Sequence, residues 1–472
     1  MPTLTSPLDM RFRPVRLIRS LFMIVLILFV FLNLHVLMNF EPNNSDAYDR
    51  TLLYKLRHSN NLKAHVQTDR SQLQDLDGPE NSSKVEVLIL PNQYNQTFVS
   101  RHNIPEHNLT QIKLEIDRRN ADQYVHNLQK YGLSLGPESV VIVVQVHDRA
   151  NYLKILLDSL RKVKGIEKTL LIFSHDVFSE QLNSIVETID FCPVMQIFFP
   201  VSAQLHPKEF PGEHPNDCPR NVKKDQALKI KCNNANHPDK YGHYREAKYC
   251  QTKHHWFWKL FHVFDQLTVM KNYTGLVLLL EEDYYVAPDV ITILQMMNHL
   301  KKKDKDCKDC RMLTAGNYDK TQSYSINSGK VELGHWISSR HNMGMAFTRD
   351  LWKDIKKCTS EFCNFDDYNW DWTLQHLSMK CIPDKVKVMK MKATRVFHIG
   401  ECGVHHKGKN CQPDNKKKQI ETQLQSNKQH LFPNVLSVGG QSKFKLRDPK
   451  PNGGWGDKRD RELCLSFAKG QG

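Results

Sequence analysis

The chain has 472 residues, 40% of them apolar and 25% charged, and its mean hydropathy is -0.54. That length can bury a full α/β core, which excludes a small disulfide-only scaffold, and the hydropathy excludes a polytopic membrane protein. Lys and Arg total 66 against 51 Asp and Glu, and the net +15 suggests either an anionic partner (nucleic acid, a membrane surface, a phosphate ligand) or merely solvated surface. From Cys381 onward there are 19 basic and 8 acidic residues, so most of the excess sits in the last fifth of the chain.

Residues 21–40 (LFMIVLILFVFLNLHVLMNF) carry no formal charge and follow Arg11, Arg13, Arg16 and Arg19. As a helix rising about 1.5 Å per residue this run would cross a bilayer, and the arginines hold residues 1–20 in the cytosol. The run exceeds a usual signal-peptide core and no A-x-A-like site follows it, so an uncleaved signal anchor is expected. Sequons at Asn43, Asn81, Asn95, Asn108 and Asn272 all lie after it, as do the 12 cysteines, which begin at Cys192. A lumenal, cysteine-rich protein is the joint reading, and it removes nucleic acid as a partner.

Residues 41–135 hold four of the sequons and no sustained apolar periodicity, and read as a lumenal stem, with some helix in 109–131. The globular domain is expected over 136–472. It opens with residues 140–146 (VVIVVQV), a buried strand ending at His147-Asp148-Arg149. Leu153, Leu156, Leu157 and Leu160 follow at helical spacing, and residues 168–173 form a second strand ending at Ser174-His175-Asp176. This is a βαβ unit, continued by a helix over 180–189 and a strand over 194–199. Ligands of such sheets bind beyond the strand carboxyl ends, here Gln145 to Arg149 and Asp176. The first strand has no G-x-G-x-x-G after it, which argues against a dinucleotide site.

Beyond a loop-rich insertion over 200–242, residues 251–268 read as a helix with Trp256, Phe257, Leu260 and Phe264 buried. Residues 275–280 then form an apolar strand running into Glu281-Glu282-Asp283. Three carboxylates there need a cation or donors, and oxygen ligands of this kind suit Mg²⁺ or Mn²⁺ bridging a diphosphate. In Asp366-Asp367-Tyr368-Asn369-Trp370-Asp371-Trp372, acids alternate with aromatic residues that suit sugar rings, and one carboxylate could act as general base. An N-capped helix accounts for the same pattern. His398 ends a short strand and is either a metal ligand or structural.

Long blocks of this sequence resemble the N-acetylglucosaminyltransferase II family of α-1,6-mannosyl-glycoprotein 2-β-N-acetylglucosaminyltransferases. They are QVHDR (145–149), FSHD (173–176), YGHYREAK (241–248), QTKHHWFWKL (251–260), LEED (280–283), DDYNWDWTLQ (366–375), FHIGECGVHHK (397–407) and NGGWGD (452–457). The resemblance implies a GT-A-type α/β glycosyltransferase with a Rossmann-like mixed sheet, preceded by one transmembrane helix and a stem. It implies a type II Golgi membrane protein that uses UDP-GlcNAc and Mn²⁺ to add β-1,2-linked GlcNAc to the α-1,6-arm mannose of N-glycans. By the same resemblance Gln145, Val146, His147, Asp148, Arg149, Asp176, Gln251, Thr252, Lys253, His254 and His255 would hold the donor. Asp283 and His398 would bind the metal, Asp371 would be the base, and Arg220, Asn342 and Trp370 would read the acceptor. The triplet Glu281-Glu282-Asp283 departs from a generic D-x-D in having one aspartate. The cysteine pairs implied are Cys218–Cys232, Cys307–Cys310, Cys358–Cys381, Cys363–Cys464 and Cys402–Cys411, leaving Cys192 and Cys250. The spacing of Cys307 and Cys310 also suits half a zinc site, for which no second pair is in place. A lectin or a related transferase with another mannose acceptor are the competing readings, and homo-oligomerisation stays open.

Overall fold

A computed structural model describes residues 108–400 and 413–469. The expected tail, anchor, most of the stem, the sequons Asn43, Asn81 and Asn95 and the pair Cys402–Cys411 lie outside these residues. Among the described residues no helix is long and apolar enough to cross a membrane.

The architecture is mixed α/β. Helix α1 (Leu109–Asp122) leads to β1 (Val125–His126), β2 (Val140–Val146), α2 (Ala150–Leu160), β3 (Leu171–His175), α3 (Glu180–Glu187) and β4 (Val194–Phe198). Next come α4 (Ala247–Phe261), β5 (Leu276–Glu281), β6 (Tyr284–Val286), α5 (Val290–Lys303), β7 (Cys310–Thr314), β8 (Lys330–His335) and β9 (Met345–Phe347). The remainder introduced here are α6 (Thr359–Asn364), α7 (Trp370–Lys380), β10 (Lys387–Met391), β11 (Val396–His398), β12 (Ser437–Gln441) and α8 (Lys458–Phe467). Ten strands form one sheet in the order β1-β4-β3-β2-β5-β9-β7-β10-β8-β12, while β11 and β6 form a separate ribbon.

Strands β4, β3, β2 and β5 are parallel neighbours, and β2 lies between β3 and β5. Its residues alternate between two apolar layers, Val141 and Val143 on one side and Val140, Ile142, Val144 and Val146 on the other, all buried. A strand covered on both faces needs an unbroken β-branched run, which explains VVIVVQV. The chain leaves β2 towards β3 and β4 and returns on its other flank as β5, so the sheet's switch point falls between β2 and β5. A crevice opens outside the carboxyl ends of strands at such a point.

The globular part begins earlier than residue 136. Ile112 and Ile116 of α1 pack with Phe178, Phe198 and Leu205, β1 pairs with β4, and the Asn120 side chain exchanges two hydrogen bonds with the backbone of Phe198. The segment 109–131, read as the end of the stem, is therefore part of the core; only two of its α1 residues are buried, too thin a stripe to register as periodicity. Asn108 is exposed and caps α1 through Oδ1, and Asn272 is exposed in a turn.

Among the described residues three disulfides form, Cys218–Cys232, Cys358–Cys381 and Cys363–Cys464. The Cys307–Cys310 pair does not: both are separate buried thiols in a shared apolar cluster. Burial pushes Cys307 up to about 11 and Cys310 up to about 12, so each thiol stays protonated. Cys192 and Cys250 are buried thiols as well.

Candidate active site

The carboxyl ends of β2 and β5 meet in register, Gln145 opposite Glu281. The Glu282 N–H donates to Gln145 O (3.0 Å), and the Glu282 carboxylate accepts from His147 N–H (2.9 Å) and Arg149 Nε (2.7 Å). Arg149 Nη1 also reaches Asp283 Oδ2 (2.8 Å). Glu282 is thus occupied in bracing the loop after β2, while Glu281, forced up by burial and the Asp283 charge, is opposed by His398 and then by the buried Lys259 and by Arg149. The three carboxylates are tolerated because each has a cationic neighbour.

Ribbon β6–β11 sets His398 opposite Tyr284, and His398 Nε2 comes to 3.2 Å from Asp283 Oδ2. Asp283 Oδ1 is buried without a hydrogen-bond partner. At Gly400 a Cβ would stand 2.3 Å from Asp283 Oδ2 and 2.9 Å from His398 Nε2, so only glycine leaves the space between carboxylate and imidazole open.

Asp176, beyond β3, is almost fully buried and accepts from Gln251 Nε2 (2.9 Å), while its Oδ1 meets His147 Nδ1 at 2.7 Å. Burial opposes charge on His147, but the Asp176 hydrogen bond and charge outweigh it and hold the imidazole up at about 9. His255 Nε2 bonds Ser174 Oγ (2.8 Å), and Lys259 Nζ donates to Gln145 Oε1 (2.7 Å). Gln251, His255 and Lys259 are spaced four apart on α4 and share the face toward these strand ends.

The expected donor residues therefore separate. Gln145, His147, Arg149, Asp176, Gln251 and His255 gather at the crevice. Asp148 stands exposed beside them, with Oδ2 at 3.7 Å from His147 Nε2. The Val146 side chain is in the apolar core, and Thr252 is half-buried on the flank of α4. Lys253 and His254 are not at the crevice. Lys253 is fully buried and donates to Asp367 O (2.8 Å) and Phe365 O (3.1 Å), and His254 bonds the buried Asp460 (3.0 Å), which also pairs with Arg245. A block of five consecutive helical residues cannot face one ligand.

Asp371 lies half-buried in the first turn of α7. Its Oδ1 accepts from Trp372 N–H (2.8 Å) and its Oδ2 from Asn342 Nδ2 (3.2 Å), while Tyr318 Oη donates to Asn342 Oδ1 (2.8 Å). Burial raises the Asp371 carboxyl above its ordinary range, and the Trp372 and Asn342 donors pull it partly back. Burial raises the phenols of Tyr284 and Tyr318, and both also feel the charges of Glu281, Asp283 and Asp371, so each lies within electrostatic reach of all three carboxylates.

Trp370 is not open to a ligand. It is 8% exposed and stacks on Trp256, with centroids 4.6 Å apart. The partly exposed rings of the segment are Tyr368, stacked on Tyr249 (5.3 Å), and Trp372. Arg220 pairs with Glu246 (3.1 Å) and lies within electrostatic reach of Tyr368. Sequence reasoning missed Lys259, Tyr284 and Tyr318; only Lys259 left a signal, as the next step of the four-residue series from Gln251 and His255.

Fold and site define an α/β protein with a polar site at the carboxyl ends of its parallel strands, where an acid and an imidazole pair, and a raised carboxylate at the start of α7. The family model of N-acetylglucosaminyltransferase II (MGAT2) matches residues 113–464. Proteins named α-1,6-mannosyl-glycoprotein 2-β-N-acetylglucosaminyltransferase are 50% identical in Sus scrofa (350 residues, 74% of this chain and 78% of that one) and 47% identical in Homo sapiens (353 residues, 74% and 78%). The one from Arabidopsis thaliana is 36% identical over 340 residues, 71% of this chain and 76% of that one. This chain belongs to the N-acetylglucosaminyltransferase II family. Among solved structures it matches S. aureus TarS 1–349 with a TM-score of 0.30 and 12% identity, over 55% of this chain and 60% of that one. It matches the mannosyltransferase PcManGT from Pyrobaculum calidifontis in complex with GDP-Man and Mn²⁺ with a TM-score of 0.26 and 11% identity, over 77% and 85%.

Proposed function

We propose that the chain transfers GlcNAc from UDP-GlcNAc, with inversion, to the 2-hydroxyl of the α-1,6-arm mannose of an N-glycan, a step towards complex glycans. The observation that carries this reading, in a member of this family, is Asp371: a half-buried carboxylate, raised above its ordinary value and held by Asn342 and the Trp372 N–H, within electrostatic reach of the same two tyrosines as the acids of the donor crevice. An α-linked donor sugar giving a β product requires one in-line displacement, with one base and no covalent enzyme intermediate. Asp371 takes the proton of the acceptor hydroxyl as that oxygen attacks the anomeric carbon. Asn342 and the Trp372 N–H hold the carboxylate in place for it. Gln145, His147, Asp148, Arg149, Asp176, Gln251 and His255 bind the uridine and diphosphate portion, and Arg220 with Tyr368 lies on the acceptor side.

The residues present fit a Mn²⁺ ion. The orphaned Asp283 Oδ1, the His398 imidazole and the space kept by Gly400 supply an oxygen and a nitrogen ligand. Among the described residues no group of three or more His, Cys, Asp or Glu could hold a metal by itself, so its remaining positions would go to donor oxygens and water. When bound, the ion stabilises the charge that develops on the departing diphosphate. The charge-free run 21–40 behind four arginines supports a type II Golgi anchor with the catalytic part lumenal.

The test is to incubate the full-length chain in detergent with UDP-GlcNAc, Mn²⁺ and a mannose-terminated biantennary glycan, and to analyse the product by mass spectrometry with linkage analysis. One β-1,2-GlcNAc on the α-1,6 arm is expected. Transfer to another mannose would replace the acceptor, and glycan binding with no UDP released would make the protein a lectin.

A further inference from the structure

Lys253 is the anomaly of α4: a fully buried ammonium on the face opposite Gln251, His255 and Lys259. Its two acceptors are the main-chain carbonyls of Phe365 and Asp367, and its charge lies 4.3 Å from the Trp455 ring centroid and 5.0 Å from that of Phe362. Burying an ammonium is costly, and two backbone carbonyls two residues apart are an arrangement that fixes the course of the main chain between them.

What that main chain leads to is the start of α7. The Asp367 carboxylate, also fully buried, accepts from the Asn369 N–H (2.8 Å) and Nδ2 (2.9 Å) and from the Asn452 N–H (2.7 Å) and Nδ2 (3.0 Å). Asn369 is the N-cap position of α7, and its carbonyl accepts from the Thr373 N–H and hydroxyl. Asp371 stands two residues further on. A continuous series of hydrogen bonds therefore runs from Lys253 through Asp367 and Asn369 to the turn carrying Asp371. One turn of α4 holds Asp176 on one face and this loop on the other.

We propose that Lys253 is a positioning residue for Asp371, tethering the base to the helix that lines the donor crevice. The inference rests on Asp371 being the base. Loss of the tether then costs the proton-transfer step and leaves the donor crevice intact, because no polar contact of Lys253 reaches it.

The test is Lys253→Met in the full-length chain, with Tm, UDP affinity in the presence of Mn²⁺, and kcat measured on the same preparation. A fall in kcat of about 10- to 100-fold with UDP affinity within about twofold is expected, the size of effect that a displacement on the order of 1 Å produces at a reacting group. Lys253→Arg, which keeps donors for both carbonyls, should recover most of that loss. Placed in an Asp371→Asn background, Lys253→Met should lower the residual rate no further, since a residue acting only through the base has nothing left to position. Unchanged kcat, a parallel loss of UDP affinity, or full additivity with Asp371→Asn overturns the proposal. If Lys253→Met does not fold, Asn369→Ala tests the same tether from its other end, and kcat unchanged there overturns it. An Asp371→Asn enzyme with full kcat would instead remove the base assignment beneath it.

Discussion

The two walls of the cleft are held by different kinds of structure. At the donor wall a parallel ladder does the work: Gln145 and Glu281 are register partners, and the loops after them start from fixed points. At the base wall carboxylates stand in for a sheet. Asp239 accepts from Gly454 N–H, Asp366 from Lys240 and Trp455 N–H, and Asp367 from Asn369 and Asn452 N–H, which knits three segments far apart in sequence. A ladder shares its load over many backbone hydrogen bonds, whereas each of these carboxylates, once removed, takes the acceptor from several backbone N–H groups at once, most of them partly buried. Substitutions at the base wall should therefore damage chemistry while sparing donor binding, and those at the donor wall should do the reverse.

The largest effect expected is that of Asp371→Asn. Removing a general base costs about 100- to 10,000-fold in kcat, and here UDP affinity should stay within about twofold, checked by UDP-release assays beside calorimetry. Equal loss of both would mean that the walls are not separable. Next is the disulfide joining α6 to α8, whose half-cystines are 101 residues apart. Replacing Cys363 and Cys464 together by Ser should lower the free energy of unfolding by roughly 4 to 5 kcal/mol in chain-entropy terms, read by denaturant titration. Because the bridge fastens Trp455 and the 452–454 loop near the base segment, activity should fade at lower denaturant than UDP binding does. Asp283→Asn belongs to the other wall. It should weaken UDP binding by about tenfold or more in the presence of Mn²⁺ and leave the metal-free affinity nearly as it was, a contrast that no change at the base wall should reproduce.

The same difference explains what could be read from the sequence. Strands β2 and β5 were legible because strands buried on both faces appear as unbroken apolar runs, and acids at their ends mark the crevice. The Arg149 clamp on Glu282 and Asp283 was not legible, because nothing in spacing says which cation closes on which acid. Gln251 and His255 could have been parted from Lys253 and His254 by helical phase alone. Trp370, which the resemblance implied would read the acceptor, is instead covered by Trp256, a partner that only the fold supplies. At the base wall Asp366 and Asp367 looked like candidates for chemistry as good as Asp371, and their roles as backbone acceptors depend on loops whose approach no local pattern announces.

The finest test of the comparison is a shift in pH rather than a loss of rate. Burial, with a contribution from the Asp367 charge, holds the Asp371 carboxyl above its ordinary value, and the Trp372 N–H and Asn342 Nδ2 act in the opposite sense. A base works only when ionised, so kcat/KM should fall as pH drops through that raised value. Asn342→Ala removes one donor to the ionised form and leaves the other causes in place, so the acid limb should move to still higher pH. With a net hydrogen bond of about 1 kcal/mol, the movement is about 0.7 pH unit. Tyr318→Phe, which removes only the phenol donating to Asn342 Oδ1, should move the limb the same way by less. Neither substitution reaches the ladder of β2 and β5, so the affinity for UDP should not follow the shift. If the acid limb stays where it is in both variants, the group titrating in it is not Asp371, and the division of labour between the two walls would have to be redrawn around another carboxylate.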